Sequence, residues 1–426
     1  MGDILFKNFA LLDTQAGELL SGRQVLVRGK TIAEVADGAI DAPDAEVCDL
    51  GGRTLMPGVI DCHNHVVSKP VGNPYSLGSW DTARASERLR RMLMRGFTTV
   101  RDAGGADMGH RVAVEEGLFV GPRMFVSGHP ISQTGGHGDK RSQADLAEPC
   151  MCVGLGPGTA RVADGVDEVR RAARDEIRLG ADQIKVHASG GVGSTVSSID
   201  QLQYSMDELK ALVDEAARSH TYVLTHTYPA EAIKRCVEAG VRTIEHGNLI
   251  DEEAAAMMAK AGTYLVPTLT IYHETMEHGP ERGFSEFKMQ KCAYVMEAGS
   301  RSLEVAKRAG VNVAFGTDVG SCPDAQSREF LIRAEVQSAA EVLRSATVVS
   351  AEVVRMAGKI GVIAPGAFAD MLVVDGDPLE DLSLLAGQGE HLAAIMKEGA
   401  FYKNALGPSA ADAPQVRREP EPAPAE

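Results

Sequence analysis

Aromatic residues are scarce in this chain, at 5% of 426 residues with a single tryptophan, and cysteine is both scarce and oddly spaced. The seven cysteines (Cys48, Cys62, Cys150, Cys152, Cys236, Cys292 and Cys322) are odd in number and show no repeated CxxC, so neither a disulfide framework nor a thiolate zinc site is indicated and the thiols read as reduced. Cys150 and Cys152 are too close for an ordinary tetrahedral pair and have no second half. Positive charge is also lacking. With 59 acidic against 43 basic residues the formal net charge is −16, which argues against nucleic acid or an anionic membrane as the partner and favours a small molecule. The start of the chain lacks a basic segment followed by an apolar core of a secretory leader. No membrane anchor is called for, and a cytoplasmic location is the default reading, a removed leader being invisible.

What is present is glycine, 45 residues of it, in a chain that is 44% hydrophobic and 24% charged, the composition of a globular protein rich in turns. Residues 3–56 carry short apolar runs punctuated by glycine turns, and the same texture returns over 361–403. Two such segments at opposite ends most simply form one β-sandwich. Between them buried strands alternate with amphipathic helices, as in a parallel (β/α)8 TIM barrel. Eight strands are predicted at 59–65, 97–101, 122–128, 182–188, 222–227, 242–246, 263–267 and 311–316. A helix should follow Ser205, capped by its hydroxyl with Glu208 three residues on, and bury Leu209, Leu212, Val213 and Ala216. The expected division is an α/β fold with a sandwich of 1–58 and 360–406, a barrel of 59–359 and a disordered tail, 407–426, rich in Pro, Ala and Glu. Two long segments, 129–164 and 189–204, fall after the third and fourth strands and are candidate lids.

The chemistry gathers at predicted strand ends. His63 and His65, two residues apart on the first strand, project to one side, where two imidazoles suit Zn²⁺ or a similar metal. On the fourth strand Gln183, Lys185 and His187 share one face and Ile184 and Val186 the other, so Lys185 points inward. An inward amine is either paired with a carboxylate or neutral, and a neutral amine can take up CO2 as a carbamate able to bridge two metals. The fifth, sixth and eighth strands end in His226, His246 and Asp318. Four histidines and an aspartate, all at C-terminal strand ends, are hard to explain by packing.

In these residues the sequence resembles the amidohydrolase superfamily, in the branch whose two metals are bridged by a carboxylated lysine. The resemblance spans residues 3–403. It implies two Zn²⁺ per chain, other divalent ions also fitting, with His63 and His65 on the more buried metal, N6-carboxylated Lys185 as the bridge, and His226 and His246 on the more exposed metal. Asp318 matches the eighth-strand aspartate that binds metal and handles the proton. The segments Gln133-Thr134-Gly135-Gly136-His137-Gly138-Asp139, Lys185-Val186-His187-Ala188-Ser189-Gly190-Gly191 and Thr225-His226-Thr227-Tyr228 look like those of prolidase-like dipeptidases, including Xaa-Pro, Xaa-Arg and ochratoxin-cleaving members. That subgroup hydrolyses amide bonds beside a free carboxylate, by a metal-bridging hydroxide. By the same resemblance His137 and Tyr228 hold the scissile carbonyl oxygen. The expected substrate is a dipeptide or N-acyl amino acid, and a homo-oligomer is expected because barrel hydrolases of this type commonly associate.

Other features take plainer readings. His110, His220, His278 and His391 fall in helices or turns and are expected to face solvent, and Gly190-Gly191-Val192-Gly193 is a loop rather than a dinucleotide site. Tyr272 and His273 follow the seventh strand, where contact with a substrate is the less favoured reading. For the substrate carboxylate Arg141, Arg161 and Arg282 stand unranked. Two rival readings accommodate the same barrel: a one-metal hydrolase of cyclic amides or a ring deaminase, resembling imidazolonepropionase, for which Lys185 has no task, and a non-catalytic scaffold resembling the dihydropyrimidinase-related proteins, whose metal ligands are lost.

Overall fold

The computed structural model describes residues 2–68, 77–142, 144–146, 160–194, 196–320 and 322–406; the predicted tail, Cys150 and Cys152 lie outside them. The two ends of the chain build two sheets. One has the order Thr31–Asp37, Arg23–Arg28, Ile4–Lys7, Glu46–Asp49, and the other Ala400–Asn404, Leu392–Lys397, Met371–Val374, Thr54–Pro57, Ala10–Asp13, Glu18–Leu20. Strands Thr54–Pro57 and Met371–Val374 are buried at every position, so each has two faces to cover. Phe6, Val25 and Ile32 of the first sheet and Leu55, Met371 and Val373 of the second form one shared core. The alternate residues, Met56, Leu372 and Val374, turn the other way and pack on Leu89, Leu93 and Phe97 from the first barrel helix and second barrel strand. One strand thus serves two cores.

The barrel strands are Val59–Asn64, Phe97–Asp102, Arg123–Phe125, Ile184–His187, Val223–Pro229, Thr243–Leu249 and Tyr264–Val266, with segment 312–318 in the eighth position. Every ladder between them is parallel. The ring is completed by a few backbone bonds outside the regular ladders: Asp182 N to Val126 O (2.7 Å), Leu265 N to Asn312 O (3.0 Å) with Ala314 N to Leu265 O (2.8 Å), and Cys62 N to Phe315 O (2.7 Å) with Thr317 N and Asp318 N to His63 O (3.1 and 2.8 Å). The eighth strand is therefore less regular than the 311–316 reading, with an isolated bridge at Val313 in place of a ladder, and the third is cut to three residues. Outward residues of the strands, such as Ile184, Val186, Val223 and Ile244, pack against the helices with Leu209, Leu212 and Ala216. Those three lie on helix Met206–Arg218, and the predicted capping box is present, the Ser205 hydroxyl accepting from Glu208 N while the Glu208 carboxylate accepts in return. Among the described residues no helix is long and apolar enough to cross a membrane.

Two local expectations change. His110 does not face solvent: it is buried and its Nδ1 meets the Asp107 carboxylate at 2.7 Å, where the pair caps helix Met108–Glu115. The segment 129–164 is not one long loop, since Ile131–Ser132 and Arg161–Val162 pair as short parallel strands beside the fourth barrel strand; its residues 147–159 lie outside the described ones.

Leu372, fully buried where sandwich meets barrel, tests this packing. Leu372→Ala is expected to cost about 2–5 kcal/mol in a denaturant series, whereas Leu118→Ala, at a position 65% exposed, should shift the midpoint little. Equal midpoints for the two variants would overturn the shared-core arrangement.

Candidate metal centre

The strand ends bring the predicted residues to one place. His63, His65, His137, Lys185, His226, Tyr228, His246 and Asp318 all line a single cavity of ≈ 290 Å³. Within it the donor atoms of His63, His246 and Asp318 lie within 4.8 Å of one another. Asp318 Oδ1 is 3.3 Å from His65 Nε2 and 3.8 Å from His63 Nε2. His226 stands slightly apart. Its ring stacks on His137 with centroids 4.1 Å apart, and its Nε2 faces Gly190 O at 3.3 Å. The register that puts these side chains together is visible in the ladders, where His187 pairs with His226 and His226 with Glu245.

Each imidazole is aimed by what its other nitrogen does. His63 Nδ1 donates to Glu245 Oε2 (2.6 Å) and His65 Nδ1 to Gly104 O (2.6 Å), so in both rings the Nε2 lone pair is left for a ligand in the cavity. His246 Nδ1 meets the Thr268 hydroxyl at 2.7 Å. Glu245 is itself gripped by Arg101, whose Nη2 reaches its two oxygens at 2.8 and 2.9 Å, while Arg101 Nε donates to Cys62 O at 2.5 Å. Burial first, and the neighbouring Lys185 and His65 next, hold His63 far below the ordinary imidazole pKa, and burial does the same for His226 and His246. These rings are neutral at pH 7. Neutral imidazole is the form that binds a metal.

Two of the donors sit on a strained backbone. Only seven non-glycine residues among those described have positive φ, and His246 (72°) and Asp318 (56°) are two of them. The reason is geometric. On the sixth strand Thr243 and Glu245 face the barrel interior, where Arg101 meets both, and Ile244 faces the helices. Strict alternation would send His246 outward with Ile244. The left-handed turn at His246 brings it in instead, at a cost of order 1–3 kcal/mol that local structure must over-determine. Gly316 is needed for a similar reason, since a Cβ there would lie 2.9 Å from His63 Cβ and 2.5 Å from Val266 Cγ1.

Lys185 is buried beside Glu245 and Asp318, and burial lowers its amine to about 8. A minor fraction is then free base near neutrality, the form that reacts with CO2. Burial raises the pKa of Asp318. With three neutral imidazoles, a carboxylate and a soft-to-titrate amine on one wall, the donor set fits a borderline divalent cation.

Further residues surround this core. His187, next along the fourth strand, lies edge-on to His137 at 5.0 Å, and the Nδ1 atoms of both are buried with no hydrogen-bond partner among the described residues. Inward placement of His187 was readable from the strand period; its nearness to His137 was not. Tyr272 shares a 3.0 Å hydrogen bond with Tyr228 through their hydroxyls, and burial pushes both phenols up, so they stay protonated. Lys291 Nζ donates to the carbonyls of Gly191 (3.0 Å), Ser194 (2.6 Å) and Ser197 (3.3 Å), pinning the 189–204 segment. These bonds tie the segment down against His137 and His226, where a Cβ on Gly191 would come within 2.4 and 2.6 Å of their rings.

The three arginines offered for a carboxylate are placed otherwise. Arg161 is paired with Asp175 and Glu176, Arg141 bonds Asp139 at 2.7 Å, and Arg282 lines a separate surface cleft with Glu274 and His278. None lines the central cavity.

Glu245→Gln removes the charge that fixes His63 and leaves Arg101 buried without its counter-ion. Metal affinity is expected to fall about 10–100-fold, measured by competition with a chromogenic chelator. Unchanged affinity in a folded variant would mean that His63 needs no such support.

Comparison with known proteins agrees with this geometry. The model of the amidohydrolase family matches residues 54–399. The ochratoxinase of Aspergillus niger is 31% identical over 418 residues, covering 93% of this chain and 86% of the relative. A prolidase solved with N-methylphosphonate-L-proline superposes with a TM-score of 0.92 at 47% identity, covering 94% of this chain and 100% of that one. A Xaa-Pro dipeptidase solved with methionine in its active site gives 0.86 at 31%, covering 94% and 100%. On its sequence, its barrel and its sandwich, the chain belongs to the amidohydrolase family, among its prolidase- and ochratoxinase-like members.

Proposed function

We propose that this hydrolase cleaves the amide bond of dipeptides or N-acyl amino acids, using two divalent metal ions, Zn²⁺ first among them, held by His63, His65, His226, His246 and Asp318 and joined through N6-carboxylated Lys185. The observation that carries the reading is the convergence of neutral histidines, Asp318 and Lys185 in one cavity at the strand ends. Similarity to a prolidase, a Xaa-Pro dipeptidase and an ochratoxinase supports amides beside a carboxylate as the substrate class.

Bound there, the metals would supply a water of lowered pKa and a positive charge for the carbonyl oxygen. Asp318, 3.3 Å from His65 and in the cavity wall, takes the proton of the attacking water as its oxygen bonds to the carbonyl carbon. It returns that proton to the amide nitrogen as the C–N bond breaks, leaving a carboxylic acid and an amine. The Tyr228 phenol, protonated and steadied by Tyr272, donates to the carbonyl oxygen as negative charge builds there. His137 is the second donor: burial keeps it neutral, and its unpartnered Nδ1 is free for this task. Such donors are each worth about 10²–10³ in kcat.

A second reading, a one-metal site acting on a cyclic amide or a ring amine, draws on the tight grouping of His63, His246 and Asp318 and on the turn of His226 towards Gly190. It gives Lys185 no role. Metal analysis of the purified protein, run alongside amino acid release from dipeptides and N-acyl amino acids, separates the two. About two metals per chain with chelator-sensitive release is expected; one metal and ring opening without peptide cleavage would sink the proposal.

Two variants sharpen it. Lys185→Ala is expected to lose the bridge and most activity while remaining folded, and full turnover with two bound metals would remove the carbamate. Asp318→Asn should retain some metal yet lose about 10²–10⁴ in kcat; near-normal turnover would exclude Asp318 as proton carrier.

A further inference from the structure

Helix Leu269–His278, which follows the seventh strand, starts in an unusual way. Its N-cap residue is Thr268, a type whose hydroxyl ordinarily accepts from the second or third N–H of its own helix. Thr268 makes no such bond, and its hydroxyl meets His246 Nδ1 at 2.7 Å instead. The helix is left with unpaired donors at a fully buried end, where both Thr268 and Thr270 are inaccessible to water. Donors of that kind need an acceptor from elsewhere.

Glu329 provides it. This residue belongs to the helix Arg328–Ala334, is itself fully buried, and points its carboxylate at the start of the other helix. Oε2 accepts from Thr270 N and from the Thr270 hydroxyl, each at 2.8 Å, and Oε1 accepts from Leu269 N at 3.3 Å. Thr270 N is the donor that the Thr268 hydroxyl would otherwise take. A carboxylate there also meets the positive end of the helix dipole. One turn further along the same helix, the Tyr272 hydroxyl bonds that of Tyr228 at 3.0 Å. The helix that carries Glu329 is fixed to the barrel by other bonds as well. Arg328 reaches Glu274 and Glu277 at 2.8 and 2.7 Å, and Arg333 donates to Ala314 O of the eighth strand at 2.9 Å.

We propose that Glu329 is a positioning residue of the hydrolytic site: by capping helix Leu269–His278 from outside, it releases the Thr268 hydroxyl to orient His246 and places Tyr272 where it steadies Tyr228. Glu329 touches neither metal nor substrate. Without its carboxylate, Thr270 N is left to the Thr268 hydroxyl, the ordinary cap, and His246 loses the partner of its Nδ1. The Tyr228 arm of this assignment rests on the amide-hydrolase reading, and the His246 arm on the metal centre alone.

Glu329→Gln keeps the shape but turns an amide N–H2 towards one of the two backbone donors. Zn²⁺ affinity, measured by competition with a chromogenic chelator, is expected to fall about 10–100-fold, and kcat on the fastest-cleaved dipeptide or N-acyl amino acid by a similar factor with KM little changed. The pairs Glu329→Gln with Thr268→Val for Zn²⁺ affinity, and with Tyr272→Phe for kcat, should lose no more than the stronger single variant, because each pair breaks one connected path. Losses that multiply would show that Glu329 acts through general packing and would overturn the proposal, as would unchanged affinity and kcat in folded Glu329→Gln. Arg328→Met, which loosens the same two helices at the far end, should leave Zn²⁺ affinity unchanged; a loss equal to that of Glu329→Gln counts against the cap. Should Glu329→Gln fail to fold, Thr270→Val removes one donor to the same carboxylate and is expected to lower Zn²⁺ affinity ~2–10-fold, with no change overturning the proposal. If the wild type hydrolyses nothing in the panel, while Glu329→Gln weakens Zn²⁺ binding and Thr268→Val adds no further loss, the positioning role stands and the hydrolase reading fails. If the wild type hydrolyses the panel and Glu329→Gln alters neither reading, the hydrolase reading stands and the positioning role fails.

Discussion

The ion pair of Arg101 with Glu245 is the constraint on which the centre of this barrel depends. Both side chains are fully buried, and burying charge costs several kcal/mol per ion unless geometry and hydrogen bonds restore it. Here every group is used. Arg101 spans Cys62 O on the first strand, Thr243 on the sixth and both oxygens of Glu245, while Glu245 also accepts from His63. Three strands are thereby locked in register by one cation, and the same bond that satisfies the carboxylate fixes the tautomer of an imidazole in the cavity. Structure and site share a single interaction, so neither can be altered alone.

Strain is distributed along the same lines. His246 and Asp318 occupy left-handed conformations that ordinary residues avoid, and each is followed or preceded by glycine: Gly247 with φ 63°, and Gly316 where the first strand leaves no room for a side chain. Such geometry persists only where neighbours hold it. Thr268 anchors His246 from the loop after the seventh strand, and Glu329 accepts from Leu269 N and Thr270 N to hold that loop. Burial raises Glu329 to about 7, the cost of placing a carboxyl there to serve backbone donors.

How much of this was legible follows from the range of each interaction. Period-two alternation on the fourth strand reveals that Lys185 faces inward, because that depends on neighbours in sequence. The capping box at Ser205 and Glu208 is equally local. The eighth strand reads as 311–316 but forms no regular ladder, since it is held by a few bonds to Leu265, Cys62 and His63 that local pattern does not encode. His110 reads as a surface histidine because its burial comes from packing that local pattern does not encode. The arginines looked like carboxylate binders because charge is visible in sequence, whereas the acidic partners of Arg161 lie on a helix that folds back over it. Lys140 and Lys288, 148 positions apart in sequence, share a cavity only once the barrel closes.

That separation bears on what an acidic exterior implies. Net charge governs how the molecule repels or attracts at distances beyond a Debye length, about 8 Å at physiological salt, but within a cavity the nearest side chains dominate. Some exposed acids of this chain are countered by arginines, as Asp214 is by Arg170. Among the described residues Lys140 and Lys288, which line the cavity, form no ion pair.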